Sequence, residues 1–303
     1  MVPPGELRAA GGDHYKVFTP YWHAWRETRW RQTLAAPHTV RLPAGVRAGA
    51  LPRRGGASPR LMSGGETAGW QRARAWLDGP LSGYAAGHDD LAGDRTSRLS
   101  AYLRFGCLSP LELARLARRC PGGREFARQL AWRDFFHQVT AAFPDMARTA
   151  YRPRERRWRR DQDAFDTWRA GRTGIPIVDA GLRQLAAEGY MHNRARLITA
   201  HFLTRVLEID WRLGYRHFFA LLADGDVASN AGNGQWVAGT GNNPRPGRTM
   251  NMLRQAHSFD PSGDYVRRYI PELAGLTAPD IHMPWRLSPA LRRQLRYPEP
   301  MTG

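Results

Sequence analysis

The sequence predicts an all-α fold, and three observations support that prediction. From Glu66 onward, apolar residues recur at the three- and four-residue spacing of amphipathic helices. No stretch there alternates apolar and polar residues as a half-buried strand does. Ser109, Pro110 and Glu112 form a capping box, which marks the first turn of a helix. We therefore expect an all-α domain built around one pocket.

The N-terminal part of the chain has a different pattern. Residues 1–12 are expected to form a loop, and Tyr15 to Pro20 a short apolar strand or turn. A helix carrying three tryptophans is expected from about Pro20 to Gln32. Residues 36–65 are rich in proline and glycine, which is typical of a linker. The predicted organisation is an N-terminal segment, a linker and a helical domain, over residues 1–35, 36–65 and 66–303.

Four longer helices follow from the apolar spacing further along the chain. They are expected over about Gly123 to Phe143, Ile175 to Glu188, Met191 to Ile209 and Tyr215 to Ala223. Gly189 separates the second from the third. With 303 residues, of which 42% are hydrophobic and 11% aromatic, the chain can bury a large core.

The charge of the chain is strongly positive. There are 45 lysine and arginine residues against 27 acidic ones, the formal net charge is +18, and Lys16 is the only lysine. Codon bias in a GC-rich genome explains arginine over lysine, but it does not explain the net charge. Because arginine neutralises phosphates and releases their counterions, we expect a polyanionic partner.

Cysteine usage and hydropathy exclude several classes of protein. Cys107 and Cys120 are the only cysteines, and they have neither CxxC nor CxxH spacing, which excludes a disulfide framework and a cysteine zinc site. No stretch approaches the ~18 uninterrupted apolar residues of a membrane span, and the N-terminus has no apolar signal region. We expect a soluble, cytoplasmic monomer with no metal site.

Two motifs suit a polar ligand. The first, Thr96 to Ser100, places hydroxyl groups and the Arg98 guanidinium just before an apolar helical face. This suits a pyrophosphate, because N–H donors and the positive end of the helix dipole converge there; taken alone, it is more typical of an ordinary helix cap.

The second motif joins two short segments. Asn193 and Arg196 share one face of a helix, and Asp224 and Asp226 flank a glycine in a sequence too tight for regular helix. Taken alone, the two acids are typical of a solvated turn and Arg196 of a weak surface ion pair. Metal binding by the acids is a weaker alternative, because no third ligand lies nearby at a suitable spacing.

These motifs, in this order, resemble the flavin-holding core of the photolyase and cryptochrome family. Tyr84, the sequence Trp132 to Asp134, the run Gly189 to Arg196 and Trp236 extend the resemblance over about residues 13–285. The pattern is most similar to class I cyclobutane pyrimidine dimer photolyases. Since Tyr15 to Pro20 resembles the exit of that family's antenna domain, the resemblance implies that residues 1–35 are a remnant of it and that the antenna chromophore site is missing.

The resemblance implies FAD as the cofactor. It places Arg196 and Asp224 beside the isoalloxazine ring, Asp226 at the polar edge of the ring and Asn230 near its reactive nitrogen. The residues implied to contact FAD are Tyr84, Thr96, Ser97, Arg98, Leu99, Ser100, Phe126, Arg133, Asn193, Arg196, Asp224, Gly225, Asp226 and Asn230.

The resemblance also implies a pocket for a pyrimidine dimer in DNA. Gln129 stands where dimer-repairing enzymes have a carboxylate, and glutamine there is more typical of six-four photolyases and animal cryptochromes. Tyr190 replaces a tryptophan and is expected still to offer a stacking face, and Leu197 replaces a methionine. The residues implied to contact DNA or the dimer are His88, Gln129, Trp132, Tyr190, Asn193, Arg194, Leu197, Trp236 and Gln255.

An electron relay is implied by three tryptophans of the family. Two of them correspond to Trp158 and Trp211, and the third, nearest the flavin, corresponds to Gly234. If the helix predicted from Met191 continues past Ile209, Trp211 stands on it, about five turns after Asn193. Because glycine has no ring, light-driven reduction of the flavin is expected to be slow unless Trp236 takes its place.

The arginine-rich run Arg152 to Arg160 is expected to contact DNA phosphates. The resemblance implies that a polar loop, formed by Gly239 to Asn243 with Arg245, Arg248 and Gln255, lies near the flavin and the DNA. Flipping a damaged base out of the duplex costs a few kcal/mol, which phosphate contacts and aromatic stacking offset.

Three interpretations of function follow. The first is repair of cyclobutane pyrimidine dimers by electron transfer from reduced FAD under blue light. The second is a cryptochrome-like light sensor or DNA-binding flavoprotein without repair, which Gly234, Gln129 and Tyr190 favour. The third is a gene product with little activity, and the presence of nearly every implied FAD contact argues against it.

Overall fold

The regular secondary structure is helical in the part of the chain that the structure describes. The computed structural model describes residues 1–35, 37–47, 49–50, 58–154, 157–242 and 249–301. Within these ranges, strand pairing is limited to one isolated bridge, between Arg159 and Ile209. The predicted all-α fold is confirmed.

The α-helices are numbered in chain order. They are α1 (Phe18–Glu27), α2 (Glu66–Leu77), α3 (Tyr84–Gly87), α4 (Ser100–Arg104), α5 (Pro110–Ala117), α6 (Gly123–Ala142), α7 (Gln162–Arg169), α8 (Pro176–Glu188), α9 (Asn193–His201), α10 (Trp211–Leu221), α11 (Val227–Ala238), α12 (Met252–Phe259), α13 (Asp264–Tyr269) and α14 (Pro289–Leu295). No helix of the described ranges is long and apolar enough to cross a membrane.

Buried apolar side chains form two clusters. The first surrounds α1, α5 and α6 and includes the fully buried Trp25 and Phe135. The second surrounds α8, α9 and α13 and includes Trp168 and Tyr265. Helix α11 packs closely against α6 at Gly232, where an added Cβ would lie 2.1 Å from a ring carbon of Phe136. This contact holds α11 next to α6, and both helices supply residues to the candidate site.

Several predicted helix ends agree with the structure. The Oγ atom of Ser109 accepts the N–H of Glu112 at 3.3 Å, as a capping residue does. Helix α6 spans the predicted range to within one residue. Helix α8 ends at Gly189, whose φ of 58° is the left-handed conformation that glycine adopts most easily.

The N-terminal helix lies earlier in the chain than predicted. It begins at Phe18, inside the stretch predicted as strand or turn, and the predicted end at Gln32 is wrong. Trp30 lies beyond the helix, with its ring centroid 4.8 Å from that of Trp25 and the Arg118 guanidinium 3.8 Å from its ring. Burial of this indole stabilises the early turn away from the helix.

The predicted helix from Met191 to Ile209 is wrong at its C-terminal end. Helix α9 ends at His201 and is followed by one wider π-helical turn. Asp210 then caps a new helix by accepting the N–H of Arg212 at 2.9 Å. Trp211 therefore stands at the start of α10 and not on the helix of Asn193.

Candidate active site

A cavity of about 460 Å³ lies between the two apolar clusters. Its volume is in the range of small-molecule and cofactor sites. The predicted site residues that line it are Tyr84, His88, Thr96, Ser97, Arg98, Leu99, Ser100, Phe126, Gln129, Trp132, Arg133, Tyr190, Asn193, Arg194, Arg196, Leu197, Asp224, Asp226 and Trp236. Residues far apart in the sequence thus meet around one space.

Other predicted site residues lie outside this cavity. Gly225 and Asn230 line a smaller adjoining cavity of about 60 Å³. The Asn230 amide donates to the backbone carbonyl of Tyr215 at 3.2 Å, which holds it away from the main cavity. Three further residues line neither cavity: Trp158, Trp211 and Gln255. Of the expected DNA-binding segments, residues 155–156 and 243–248 lie outside the described residues.

The segment Thr96 to Ser100 leads into α4, which begins at Ser100 and has only five residues. The N-cap of α4, Leu99, makes no side-chain cap hydrogen bond. Arg98 has a φ of 52°, in the left-handed region that non-glycine residues seldom occupy. Its guanidinium lies 2.5 Å from Asp94 and 2.9 Å from Glu188. The expected cluster of hydroxyls is present, but the charge of Arg98 is already matched by two carboxylates.

Tyr190 packs between arginines rather than offering an open stacking face. Its ring centroid lies 4.5 Å from the Arg98 guanidinium carbon and 5.6 Å from that of Arg196. Its hydroxyl lies 3.1 Å from Thr96 Oγ1, and burial raises the pKa of the phenol. The prediction of a free stacking face at Tyr190 is wrong, since only 8% of the residue is exposed.

Arg196 and Asp224 form the predicted ion pair. Arg196 Nη2 lies 2.8 Å from Asp224 Oδ2, and Arg196 Nε donates to the carbonyl of Met191 at 2.8 Å. Only 6% of the Asp224 side chain is exposed, and its Oδ1 has no hydrogen-bond partner among the described residues. A buried acceptor without a partner is costly, so this atom is suited to receive an N–H from a ligand.

Asp226 is held in its charged form. Burial would raise the pKa of its carboxyl group, but hydrogen bonds from His137 Nε2 and from the N–H of Ser229, both at 2.9 Å, lower it to about 2. Sequence reasoning missed His137. The spacing of Phe126, Arg133 and His137 along α6 is the signal that would have found it, because residues at these intervals share a helix face.

Trp132 and Trp236 bring two half-buried indoles to the cavity. The Trp132 ring stacks on Phe18 with centroids 3.7 Å apart and planes at 9°. Phe18 therefore covers one face of this indole, and stacking of a base on Trp132 is limited to the other face.

Four polar residues that line the cavity were also missed by sequence reasoning: Asp89, Arg104, Ser229 and Asn233. Arg104 stands one helical turn after Ser100, a spacing that places both side chains on one face. No group of three or more metal-ligating side chains converges anywhere in the described part of the chain.

Replacing His192 by asparagine is expected to remove a pH-dependent loss of stability. Burial lowers the pKa of His192 to about 4, so the folded state holds the imidazole neutral while the unfolded state protonates below about pH 6.5. Stability is therefore lost as the pH falls from about 6.5 toward 4, by about 2 kcal/mol between pH 7 and pH 5. His192 Nδ1 caps α9 by accepting the N–H of Arg194, and asparagine can keep that cap.

Urea denaturation of both proteins at pH 7 and pH 5 measures this difference. The parent is expected to lose about 2 kcal/mol more than His192→Asn over that interval. An equal loss in both proteins would show that His192 does not carry the effect.

Comparison with known proteins assigns the chain to a family. The family described as the FAD binding domain of DNA photolyase matches residues 126–303. A deoxyribodipyrimidine photo-lyase of Streptomyces griseus is 52% identical over 306 residues, which cover 99% of this chain and 67% of that protein. The chain belongs to the DNA photolyase family.

Solved structures and other relatives agree with this assignment to the photolyases. A bacterial class III photolyase from Agrobacterium tumefaciens superposes with a TM-score of 0.89 at 33% identity, covering 100% of this chain and 68% of that one. A cryptochrome DASH of Gloeobacter violaceus is 38% identical over 260 residues, covering 79% of this chain and 52% of that protein. The chain spans about two thirds of the length of the photolyases that it matches.

Proposed function

We propose that the chain is an FAD-dependent DNA photolyase that splits cyclobutane pyrimidine dimers. The observation that carries this proposal is the single cavity that unites the Arg196–Asp224 pair, the Thr96 to Ser100 segment and the indoles of Trp132 and Trp236. The relatives named as deoxyribodipyrimidine photo-lyases support it.

The residues present fit FAD. Asp224 Oδ1 is a buried acceptor and Arg98 Nε a buried donor, and neither has a partner within the described ranges. Tyr84 and the segment Thr96 to Ser100 would hold the phosphates and ribose, and Arg196 with Asp224 would hold the flavin ring. Bound FAD in its reduced form would supply light-driven transfer of one electron to the dimer, whose cyclobutane ring opens before the electron returns to the flavin.

The lesion would lie against the aromatic part of the cavity. Trp236 and the open face of Trp132 can stack on bases, and each such contact contributes about 1–3 kcal/mol. Gln129 can donate to and accept from the pyrimidine edge. Together these contacts offset the few kcal/mol that flipping a damaged pair costs.

The proposal also covers the photolyase class, the oligomeric state, the cellular location and the domain organisation. Met191, His192 and Asn193 favour class I, whereas the solved relative from Agrobacterium tumefaciens is of class III. The proposal includes a cytoplasmic monomer whose residues 66–303 form the catalytic domain and whose residues 1–35 and 36–65 form the N-terminal segment and linker.

An absorption spectrum of the purified protein tests the cofactor. We expect flavin absorption in the protein fraction and release of FAD on denaturation, at about one FAD per chain after reconstitution. A chain that stays colourless after incubation with excess FAD would contradict the proposal.

DNA binding is expected to be strongly salt-sensitive, even for undamaged duplex. The log of affinity should fall linearly with the log of salt concentration, by about 0.9 per phosphate neutralised. The exposed Arg157 and Arg160 are expected to contribute, so glutamine at both positions should make the slope shallower. Fluorescence anisotropy with a labelled duplex between about 50 and 200 mM salt measures this. An affinity that does not change with salt concentration, or no binding at low salt, would contradict the prediction.

A light sensor without repair activity is the second candidate. It is favoured by Gly234, which supplies no ring beside the smaller cavity, and by Phe18, which covers one face of Trp132. Repair by chemically reduced protein separates the two candidates, because that assay does not require photoreduction.

A further inference from the structure

Arg104 lines the cavity and has no carboxylate partner among the residues that the structure describes. The guanidinium of Arg133 lies 3.8 Å from Asp134, in a loose ion pair. Three other lining arginines are neutralised at 2.9 Å or less: Arg98 by Asp94 and Glu188, Arg194 by Asp89, and Arg196 by Asp224. For Arg104, no carboxylate of the described residues comes within ion-pair distance. Of the five arginines that line the cavity, Arg104 is therefore the one whose charge no described carboxylate neutralises.

The backbone of the turn from Asp224 to Asp226 fixes the position of Arg104. Its Nε donates to the carbonyl of Gly225 at 3.0 Å, between the two site aspartates. The residue is exposed, and its guanidinium carbon lies 5.7 Å from the ring of Phe105. Within the described part of the chain, neither terminal amino group of the guanidinium donates a hydrogen bond, so both are available at the mouth of the cavity.

Arg104 also lies next to the segment Thr96 to Ser100, which the proposed function assigns to the FAD phosphates and ribose. It is the last residue of α4, one turn after Ser100, and both residues line the cavity. An exposed arginine is usually a solvated side chain, but this one is anchored by its Nε and faces a space lined by hydroxyl groups. A guanidinium with two free amino groups matches two oxygens of one phosphate.

We propose that Arg104 binds a phosphate group at the mouth of the cavity. This inference rests on the proposed function and names a residue that the resemblance does not include. The phosphate belongs either to the pyrophosphate of FAD or to the backbone of bound DNA. Its place next to Ser100 favours the pyrophosphate.

Three variants test the inference. Arg104→Gln removes the positive charge, whereas Arg104→Lys keeps a positive charge but loses the two parallel N–H donors of the guanidinium. Arg293→Gln removes one exposed positive charge from α14 and is the matched control. In the first arm, protein freed of flavin is titrated with FAD and, separately, with riboflavin, which has no phosphate. In the second arm, the salt dependence of duplex binding is measured.

Binding to the pyrophosphate predicts about tenfold weaker binding of FAD by Arg104→Gln, unchanged binding of riboflavin, partial recovery with lysine and no effect of the control. Binding to DNA instead predicts unchanged FAD affinity and a salt slope smaller by about 0.9.

Two outcomes would overturn the inference. One is no change in either arm, and the other is equal loss of FAD and riboflavin, which would show that Arg104 only supports the fold. A parent protein that binds neither FAD nor DNA would instead refute the proposed function itself.

Discussion

Replacing Asp224 by alanine is expected to remove most of the bound FAD and to lower the free energy of unfolding by about 3 kcal/mol. The change leaves the Arg196 guanidinium, of which 23% is exposed, without its carboxylate partner. It also removes the buried Oδ1 acceptor that faces the cavity. The flavin content of purified protein and its urea denaturation curve measure the two effects.

Glu272→Ala is a matched control for this experiment. Arg183 pairs with Glu272 at 2.8 Å, donates its Nε to the carbonyl of Gly171 and has the same exposed fraction, 23%, but it does not line the cavity. This control is expected to lose some stability and to keep its FAD. If Asp224→Ala binds as much flavin as the parent, the assignment of the Arg196–Asp224 pair is wrong.

Replacing Gly234 by tryptophan is expected to speed light-driven reduction of the flavin by an order of magnitude or more. A Cβ added at Gly234 meets no atom within 4 Å, and the residue lines the adjoining cavity of about 60 Å³. The fold therefore offers room to begin a side chain there, although overpacking by the full indole can cost about 1–3 kcal/mol. Bleaching of flavin absorption under blue light with a thiol reductant measures the rate.

Gly234→Leu separates the effect of the ring from the effect of filling the space. Leucine adds bulk without a redox-active ring and should leave the rate near that of the parent. Equal acceleration by both substitutions, or fast reduction of the parent, would contradict the prediction. In the latter case another ring, such as Trp236 or Tyr215, would connect Trp211 to the cavity; the Tyr215 ring lies 6.4 Å from that of Trp211.

The sequence predicted the helical core because local patterns determine it. The capping box at Ser109 and the glycine stop at Gly189 depend on backbone chemistry within a few residues. The ends that were predicted wrongly depend on distant contacts. Trp30 lies beyond the end of α1 because it packs against the Arg118 guanidinium. Asp210 caps a new helix, which separates Trp211 from α9.

In the candidate site too, local sequence patterns predicted some features, and others depend on distant contacts. Arg196 and Asp224 belong to segments with recognisable sequence patterns, and the structure brings them to 2.8 Å. Three other contacts join segments that are far apart in the sequence and share no recognisable pattern. They are the stacking of Phe18 on Trp132, the hydrogen bond between His137 and Asp226 and the hydrogen bond from Arg104 to the carbonyl of Gly225. These contacts determine which faces and charges remain available, and only the three-dimensional structure shows them.

Light-dependent repair by chemically reduced protein is the most direct test of the proposed function. Protein loaded with FAD and reduced with dithionite is mixed with an oligonucleotide that carries one thymine dimer, and intact thymines are measured after blue light and after darkness. Repair is expected under light and not in the dark, because reduction by dithionite does not depend on a ring at Gly234. Fully loaded, reduced protein that binds the oligonucleotide but leaves the dimer intact under light would contradict the account and favour a light sensor.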